Sequence, residues 1–370
     1  RQLNTLDYSP GFQFGQPLSF ELANRLKGLT PAGLDYVFFT NSGSESADTA
    51  LKMARNYWRL KGRPQKTRFI GRMKGYHGVN FGGISVGGIG ANRKMFGQAV
   101  EADHLRHTML PENAFSRGQP AHGAHLADEL ADLVALHDAS NIAAVIVEPM
   151  AGSAGVIPPP VGYLQRLREL CTQHEILLIF DEVITAFGRC GAMTGADRYG
   201  VVPDIMNVAK QLTNGAVPMG AVVASGEIYQ TFMDQDAPAH QLEFAHGYTY
   251  SAHPVACAAG LAALDLLLKE DLPARVAALA PHLEDAIHGL QGSPHVTDIR
   301  NEGFAAALTL ASRDGDPTRR PFEVAMRLWD KGFYVRYGGD TIQLGLPFVI
   351  ECEEIDSLVD ALGEALKAID

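Results

Sequence analysis

Long apolar stretches, clustered cysteines and positive charge are all scarce in this sequence of 370 residues. No run of 18 or more apolar residues occurs, which argues against a membrane-spanning helix. The four cysteines are too few and too widely spaced for a disulfide framework or a zinc motif, and no His-Glu-x-x-His pattern is present. We therefore expect no metal site, and reduced thiols in a cytoplasmic protein.

The charge balance also narrows the possible partners. The formal net charge is −11, and no basic run offsets it, so the surface repels nucleic-acid phosphates and we expect no nucleic-acid partner. With 46% hydrophobic and 20% charged residues, the composition is typical of a globular protein with one large domain and a smaller one. The sequence opens on Arg1 without a signal region, and we expect it to be part of a longer chain.

The first two thirds of the sequence alternate between strand and helix patterns. Short apolar runs of buried-strand type occupy residues 36–40, 68–71, 143–147, 176–180 and 221–224. Helical periodicity lies between them, most clearly over residues 47–58 and 163–171. Strands that are buried on both faces and separated by helices predict a mostly parallel sheet in an α/β domain.

The pattern changes near residue 255. An Ala/Leu-rich helix over residues 254–268 is expected to connect two halves of the chain. Two further helical patterns follow, with apolar positions at Phe322, Ala325, Met326 and Trp329 in one and at Ile355, Leu358, Val359 and Leu362 in the other. Residues 333–346 between them resemble antiparallel strands. The sequence thus predicts a large domain over residues 1–254 and a smaller α+β domain over residues 255–370.

Ser42, Gly43 and Ser44 follow the first strand and open a helix. A helix start offers unpaired N–H groups and partial positive charge, and glycine lets a phosphate approach closely. The alternative is an ordinary helix N-cap, because such serines begin many helices.

Asp181 and Lys210 are two further candidates. Asp181 ends the run at residues 176–180, and ligands of open parallel sheets bind at the carboxyl ends of strands. Lys210 joins an apolar run to a Gly/Pro-rich loop, where partial desolvation would lower its pKa and make the amine a nucleophile. The alternatives are a structural carboxylate that caps a turn and a solvated surface lysine.

Tyr76 and Arg336 could contact a ligand directly. Tyr76 precedes His77 and a glycine-rich stretch, and its ring could stack on a flat group. Arg336 lies in a strand-like segment and could grip a carboxylate with two parallel hydrogen bonds. The alternative for Tyr76 is a half-buried tyrosine in a turn, and the alternative for Arg336 is a surface ion pair.

The order of these motifs along the chain carries more information than any one of them. Ser-Gly-Ser-Glu is followed by Tyr-His-Gly, Val-Glu-Pro-Met, Phe-Asp-Glu-Val, Lys210 and His-Gly-Tyr-Thr-Tyr-Ser-x-His-Pro. This series resembles the class-III aminotransferases of fold type I, which use pyridoxal 5′-phosphate (PLP), over essentially the whole chain. Residues 78–90 and 334–345 most resemble the ω-amino acid:pyruvate, or β-alanine:pyruvate, branch.

The resemblance implies a fold and a cofactor site. The fold would be a mostly parallel seven-stranded sheet flanked by helices, plus the smaller α+β domain. Lys210 would form the Schiff base with PLP and later act as general base, and Asp181 would pair with the pyridinium nitrogen. The other cofactor-binding residues implied are Ser42, Gly43, Ser44, Tyr76, His77, Glu148, Val183 and, from the neighbouring subunit, Thr249.

The resemblance also implies how substrates bind. Arg336 would hold the substrate carboxylate, while Phe12 or Phe14 would wall the partner subunit's pocket in a homodimer; pairing of dimers into tetramers stays open. Ser153 replaces the glutamate that ornithine- and γ-aminobutyrate-type relatives place there to hold the arginine. Arg336 would then swing away from uncharged groups, which favours the pyruvate-dependent branch.

The expected reaction moves an amino group from a small amine or ω-amino acid to a keto acid such as pyruvate. Another class-III specificity, an aminomutase, a decarboxylase or a racemase is the nearest alternative, because the same motifs serve all of them. A non-catalytic PLP-binding protein would need neither Asp181 nor Arg336. A dinucleotide-dependent dehydrogenase would need a glycine fingerprint after an early strand, which the sequence lacks.

Overall fold

The computed structural model describes residues 1–238 and 240–370, and its larger sheet holds the predicted apolar runs. Among these residues the larger sheet has seven strands, which are β1 (Leu34–Thr40), β2 (Arg68–Arg72), β3 (Ala102–Leu105), β4 (Ile142–Val147), β5 (Leu177–Asp181), β6 (Ile205–Val208) and β7 (Gly220–Ser225). Their spatial order is β1-β7-β6-β5-β4-β2-β3. Strand β7 runs antiparallel to both of its neighbours, and the remaining pairs are parallel. The predicted mostly parallel sheet is confirmed.

Helices cover both faces of this sheet and build much of the rest of the chain. In the described part they are α1 (Gln2–Thr5), α2 (Pro17–Lys27), α3 (Gly43–Leu60), α4 (Phe81–Val86), α5 (Gly90–Phe96), α6 (Glu129–His137), α7 (Tyr163–Gln173), α8 (Gly195–Tyr199), α9 (Gly226–Met233), α10 (Pro254–Lys269), α11 (Leu272–His288), α12 (Arg319–Asp330) and α13 (Cys352–Lys367). Short 3-10 helices span Pro111–Asn113, Ala124–Asp128, Ala139–Asn141 and Lys210–Thr213. The central strands β4 and β5 are buried along their whole length, as expected for strands with helices on both sides.

Helix α3 shows how the local sequence fixes an element that the site needs. Ser42 has extended backbone angles and its Oγ accepts the N–H of Glu45, so it is the N-cap. The face that carries Ala47, Ala50 and Ala54 is buried against the sheet, and these small side chains let the helix approach the strands closely. The start of α3 is therefore held just beyond the end of β1.

The smaller sheet is antiparallel and lies in the C-terminal part. Its strands are β8 (Val296–Glu302), β9 (Ala305–Leu310), β10 (Arg336–Gly338) and β11 (Thr341–Gly345), in the order β10-β11-β9-β8. The predicted apolar face of α13 is buried. In α12, however, Phe322, Met326 and Trp329 are exposed, and the buried side is formed by Val324, Ala325 and Leu328 instead.

The sequence expectation of two domains matches the presence of two sheets, while the boundary at residue 254 stays a prediction. Across the described ranges, no helix combines the length and the apolar character needed to cross a membrane. The four cysteines are free thiols, and three of them are buried.

Candidate active site

A cleft of about 300 Å³ opens where five parallel strands end. The chain leaves β1, β2, β4, β5 and β6 at this edge, and each following segment contributes to the wall. The lining residues are Asn41, Ser42, Gly43, Ser44, Tyr76, Gly78, Glu148, Asp181, Val183, Ile184, Ala209, Lys210, Thr213, Gly215, Val217, Pro218 and Met219. Carboxyl ends of parallel strands are where open α/β sheets bind ligands, so the fold itself places the predicted residues together.

The start of α3 presents hydrogen-bond donors to the cleft. Within the described residues, the N–H groups of Gly43 and Ser44 have no acceptor, as expected for the first turn of a helix. The helix dipole adds partial positive charge at the same point. Ser42, Gly43 and Ser44 therefore form a site suited to an anion such as a phosphate.

At two positions near the start of α3, neighbouring atoms lie so close to the backbone that only glycine fits. A Cβ on Gly43 would lie 2.9 Å from Cγ2 of Val183, and a Cβ on Gly78 would lie 2.4 Å from Oγ of Ser44. Gly78 also has a φ of +90°, which side-chain-bearing residues rarely adopt. Ser44 accepts the N–H of Val79 over 3.1 Å, so the glycine-rich segment is fastened to the start of α3.

Asp181 lies at the floor of the cleft and is buried. Its Oδ2 is 2.9 Å from Nδ1 of His77, and its Oδ1 accepts the N–H of Val183 over 3.2 Å. His77 is buried as well, so the pair is shielded from water. The carboxylate is held in one orientation by two partners, which suits it to meet a cationic ring nitrogen.

Glu148 is a second buried carboxylate beside Asp181. Its Oε1 accepts the N–H of Tyr76 over 2.9 Å and its Oε2 accepts the N–H of Gly152 over 3.0 Å. Burial raises its pKa, the neighbouring Asp181 raises it further, and His77 and the two N–H donors oppose the shift. Glu148 thus joins the wall segment of Tyr76 to the turn that begins at Gly152.

Lys210 reaches the same cleft from the end of β6. Its side chain is accessible through the mouth of the cleft, while the surrounding walls desolvate the amine and lower its pKa. Asp181 and Glu148 oppose that shift, and Arg336 adds to it. The backbone of Lys210 has a φ of +43°, a strained value for a lysine that often marks functional positions. An amine with a lowered pKa thus lies in the cleft with two carboxylates.

Arg336 is exposed on β10, and its charge reaches the amine of Lys210. It pairs directly with Gln343 of β11, so the two side chains lie on the same face of the small sheet. Gln343 donates from Nε2 to the carbonyl oxygen of Ser153 over 3.2 Å. Arg336 therefore faces the turn that holds Ser153, at the side of the cleft.

Six predicted site residues do not line the cleft of this single chain, and besides His77, Ser153 and Arg336 they are Thr249, Phe12 and Phe14. Thr249 is exposed, and its carbonyl oxygen accepts the hydroxyl of Tyr8 over 3.0 Å. Phe12 and Phe14 are also exposed, and the ring of Phe12 packs against Gly247. The family resemblance assigns Thr249 to the phosphate site of a neighbouring subunit and Phe12 or Phe14 to its substrate pocket, and that assignment stays a prediction.

Some lining residues escaped the sequence reasoning. Asn41, Ile184, Thr213 and Met219 border the cleft without having been singled out. Asn41 directly precedes the serine-glycine motif, and Thr213 lies in the 3-10 helix that begins at Lys210, so nearness to a motif was the available signal. Gln343 gave no signal of its own, because its contact with Ser153 joins segments far apart in the chain.

The fold and the cleft define an α/β enzyme in which one cleft combines the amine of Lys210, the buried carboxylate of Asp181 and a helix N-terminus suited to an anion. The family model of class-III aminotransferases matches residues 2–366, and the chain belongs to this family.

Relatives and solved structures agree with this family. The chain is 67% identical to the beta-alanine–pyruvate aminotransferase of Pseudomonas aeruginosa and 62% identical to the omega-amino acid–pyruvate aminotransferase of Pseudomonas putida, with all of this chain and 83% of each relative covered. An amine transaminase from an uncultivated Pseudomonas species, solved in its PLP-bound form, superimposes with a TM-score of 0.91 at 38% identity, over 99% of this chain and 84% of that one.

Class-III aminotransferases depend on PLP, and the residues of the cleft fit that cofactor. The free N–H groups at the start of α3 match its phosphate, and Asp181 matches its pyridine nitrogen. The absence of a Cβ at Gly43 leaves Val183 space to lie against the helix start. The amine of Lys210, which suits the aldehyde of PLP, belongs to the same cleft.

Proposed function

We propose that this aminotransferase moves the amino group of an ω-amino acid or a small amine, such as β-alanine, to pyruvate. The observation that carries the proposal is the convergence of Lys210, Asp181 and the start of α3 on one cleft. The substrates follow from the two relatives above 60% identity, whose names specify β-alanine or ω-amino acids as donors and pyruvate as acceptor.

In this proposal Lys210 and Asp181 are the catalytic residues. PLP, when bound, delocalises the negative charge that develops once a proton leaves the substrate carbon. Lys210 would hold the cofactor through its amine, and the same amine would serve as the general base that takes the proton from the substrate carbon. Its lowered pKa keeps more of the amine in the basic form. Asp181 keeps a proton on the ring nitrogen, which favours the delocalised charge.

The remaining cleft residues would seat the cofactor. Ser42, Gly43 and Ser44 would bind the phosphate at the helix start. Tyr76 and Val183 would contact the faces of the ring, consistent with the half-buried position of both side chains in the cleft wall.

His77 and Glu148 would hold in place the residues that contact the cofactor. His77 would orient Asp181 through the Nδ1 contact of 2.9 Å. Glu148 would keep the Tyr76 segment in place through the N–H of Tyr76.

Arg336 would bind the carboxylate of pyruvate or of an ω-amino acid donor. It is exposed, and within the described residues no carboxylate forms an ion pair with it, so it is available to a substrate anion. Ser153 on the adjacent turn carries no charge that could hold Arg336 when an uncharged donor enters. The arginine is then free to turn aside, which suits an enzyme that alternates between charged and uncharged groups.

The proposed active unit is a homodimer with shared sites. Thr249, Phe12 and Phe14 are exposed in the single chain, as needed if they complete the partner's phosphate seat and substrate pocket. Association of dimers into tetramers, the domain boundary at residue 254 and a cytoplasmic location stay predictions.

Replacing Lys210 by Ala tests the catalytic assignment. Wild-type protein should show a visible absorption band that borohydride removes, with the label left on the peptide containing Lys210. Lys210→Ala should bind PLP without that covalent label and lose about 10³-fold or more in turnover, because the general base is removed. The exposed Lys94 offers a control, since Lys94→Ala should retain the label and the rate. A Lys210→Ala protein with wild-type turnover would rule out the assignment.

A donor panel separates transamination from the alternative class-III reactions. β-Alanine, γ-aminobutyrate, putrescine and an aryl amine are each incubated with pyruvate, and alanine is measured. Alanine formation with at least one donor supports the proposal. Release of carbon dioxide or migration of the amino group without alanine would favour a decarboxylase or an aminomutase instead.

A further inference from the structure

The turn at residues 152–156 has a strained backbone. Val156 has a φ of +49° and Gly155 has a φ of +116°. A positive φ is unfavourable for a β-branched residue such as valine, so the conformation persists only if the surroundings impose it. An antiparallel bridge between Ala151 and Ile157 closes the turn at its base. The N–H groups of Gly155 and Val156 donate to the carbonyl oxygen of Gly152, and contacts from the small sheet at the tip of the turn add to this restraint.

Arg300 holds the tip of this turn from the small sheet. It is a β8 residue that is only 5% exposed, and it donates from Nε over 3.1 Å and from Nη2 over 2.9 Å to the carbonyl oxygen of Gly155. Its Nη1 contacts the carboxylate of Asp298 and donates to Oγ1 of Thr309 over 2.9 Å. The planar guanidinium is therefore fixed on one side by its own sheet and grips the turn with the other.

Gln343 provides a second contact between the small sheet and the same turn. It donates from Nε2 to the carbonyl oxygen of Ser153 and is mostly buried. It is also the direct cross-strand partner of Arg336. The position of the turn and the position of Arg336 are thus linked through one side chain.

The other end of the turn touches the cleft. The N–H of Gly152 donates to Glu148, which lines the cleft beside Asp181. A Cβ on Gly152 would lie 2.5 Å from Cδ1 of Ile184, another lining residue. The turn therefore bridges the wall of the cleft and strand β11, which pairs with the strand that carries Arg336.

We propose that Arg300 is a positioning residue which, together with Gln343, fixes the turn at residues 152–156 and thereby the separation between Arg336 and Lys210. That separation determines how well a short keto acid, held by its carboxylate, presents its carbonyl carbon at the reacting centre. The proposal rests on the proposed function for the identity of the substrate. The contacts of Arg300 with Gly155 and of Gln343 with Ser153, called the clamp from here on, do not depend on which substrate binds.

Two variants weaken the clamp in different ways. Arg300→Lys keeps a positive charge beside Asp298, but a single ammonium cannot reproduce the two bonds to Gly155 and the bond to Thr309. Gln343→Leu removes the hydrogen bonds of Nε2 to Ser153 and to Thr341 and keeps a similar volume, so it serves even if Arg300→Lys folds poorly. The matched control is Arg275→Lys. Arg275 also donates to two small-domain carbonyl oxygens, at 3.0 Å to Phe348 and 2.8 Å to Ile350, away from the cleft.

Steady-state and half-reaction kinetics are measured on the holoenzymes, with pyruvate as acceptor and with 1-phenylethylamine, which has no carboxylate, as donor. We expect both clamp variants to raise the KM for pyruvate about tenfold, because pyruvate must reach Arg336 with its carboxylate and the region of Lys210 with its carbonyl carbon. The half-reaction with the amine should stay within about twofold, because that substrate has no carboxylate. Amide hydrogen exchange of the peptide covering residues 152–157 should become faster in both variants. Arg275→Lys should change neither quantity, even if it lowers Tm.

The proposal is wrong if Arg300→Lys and Gln343→Leu match the control in the KM for pyruvate and in exchange at residues 152–157. A merely structural Arg300 would lower Tm and kcat for all substrates alike, and that outcome would also contradict it. If wild-type protein forms no alanine from pyruvate, the proposed function fails. Hydrogen exchange needs no turnover and would still decide whether Arg300 and Gln343 hold the turn.

Discussion

His77 and Asp181 form a buried pair at the floor of the cleft, with 2.9 Å between Nδ1 of the imidazole and Oδ2 of the carboxylate. Because both side chains are shielded from water, the hydrogen bond is stronger than it would be at the surface. The second carboxylate oxygen accepts the N–H of Val183. The orientation of the carboxylate is therefore set by the protein before any cofactor arrives.

Replacing His77 by Leu should weaken catalysis without preventing cofactor capture by Lys210. Loss of a hydrogen bond to a buried charged group should lower kcat about tenfold or more, because Asp181 is no longer oriented. Borohydride labelling of Lys210 should remain. The control is His288→Leu, since His288 is also buried and contacts Asn301 over 2.9 Å far from the cleft. Equal losses of kcat in both variants would show that His77 acts only through stability.

The reactivity of Lys210 should depend on pH in a defined direction. Its pKa lies below the ordinary value of 10.5 because the cleft walls desolvate the amine, while Asp181 and Glu148 limit that shift. The fraction of neutral amine, and with it the rate of labelling by an acylating reagent in the PLP-free protein, should therefore rise with pH around a midpoint below 10.5. Asp181→Asn removes one opposing charge and should move this midpoint to lower pH.

Mass spectrometry of the Lys210 peptide measures the labelling rate across the pH range. Glu227→Gln is a suitable control, because that carboxylate bonds to Tyr57 outside the cleft. A midpoint in Asp181→Asn that stays at the wild-type position would contradict the assigned contact between the Asp181 charge and the amine.

Lys66 should matter for stability although it lies outside the active site. Its side chain is 2% exposed, and Nζ donates to the carbonyl oxygens of Ala139, Ile142 and Glu175 at 2.7–2.9 Å. Lys66→Met would leave three carbonyl groups without their donor at a cost of about 3 kcal/mol or more, which should lower Tm by several degrees. Lys61→Met is the control, because its ion pair is on the surface. Calorimetry with unchanged Tm in Lys66→Met would refute the expectation.

Sequence patterns predicted best those elements whose burial and composition agree. The runs at β4 and β5 are apolar throughout and are buried throughout, so their identification as central strands was secure. Strand β8 was not predicted, because its buried residues include Arg300, Asn301 and Glu302, which look like surface residues in a sequence. Their burial depends on partners that come from distant segments.

The same distinction applies to the site. The family resemblance implied that Ser42, Asp181 and Lys210 would meet, and in the fold each lies at or just after the end of a strand in one sheet. The link from Arg300 to Gly155 could not be read in the same way, because it joins the small sheet to a turn in the other half of the chain. Contacts between segments far apart in the chain leave no periodicity in either segment.

Arg336 should discriminate between substrates by charge. Arg336→Ala removes the guanidinium that would bind the substrate carboxylate, so kcat/KM for pyruvate should fall about a hundredfold, as expected for loss of a charge-assisted, two-pronged contact. The half-reaction with 1-phenylethylamine should change little, because that donor has no carboxylate. Arg327→Ala on α12 is the control, an exposed arginine of the same part of the chain. Stopped-flow absorbance separates the two half-reactions. Equal losses in both would show that the charge of Arg336 does not select substrates by their carboxylate.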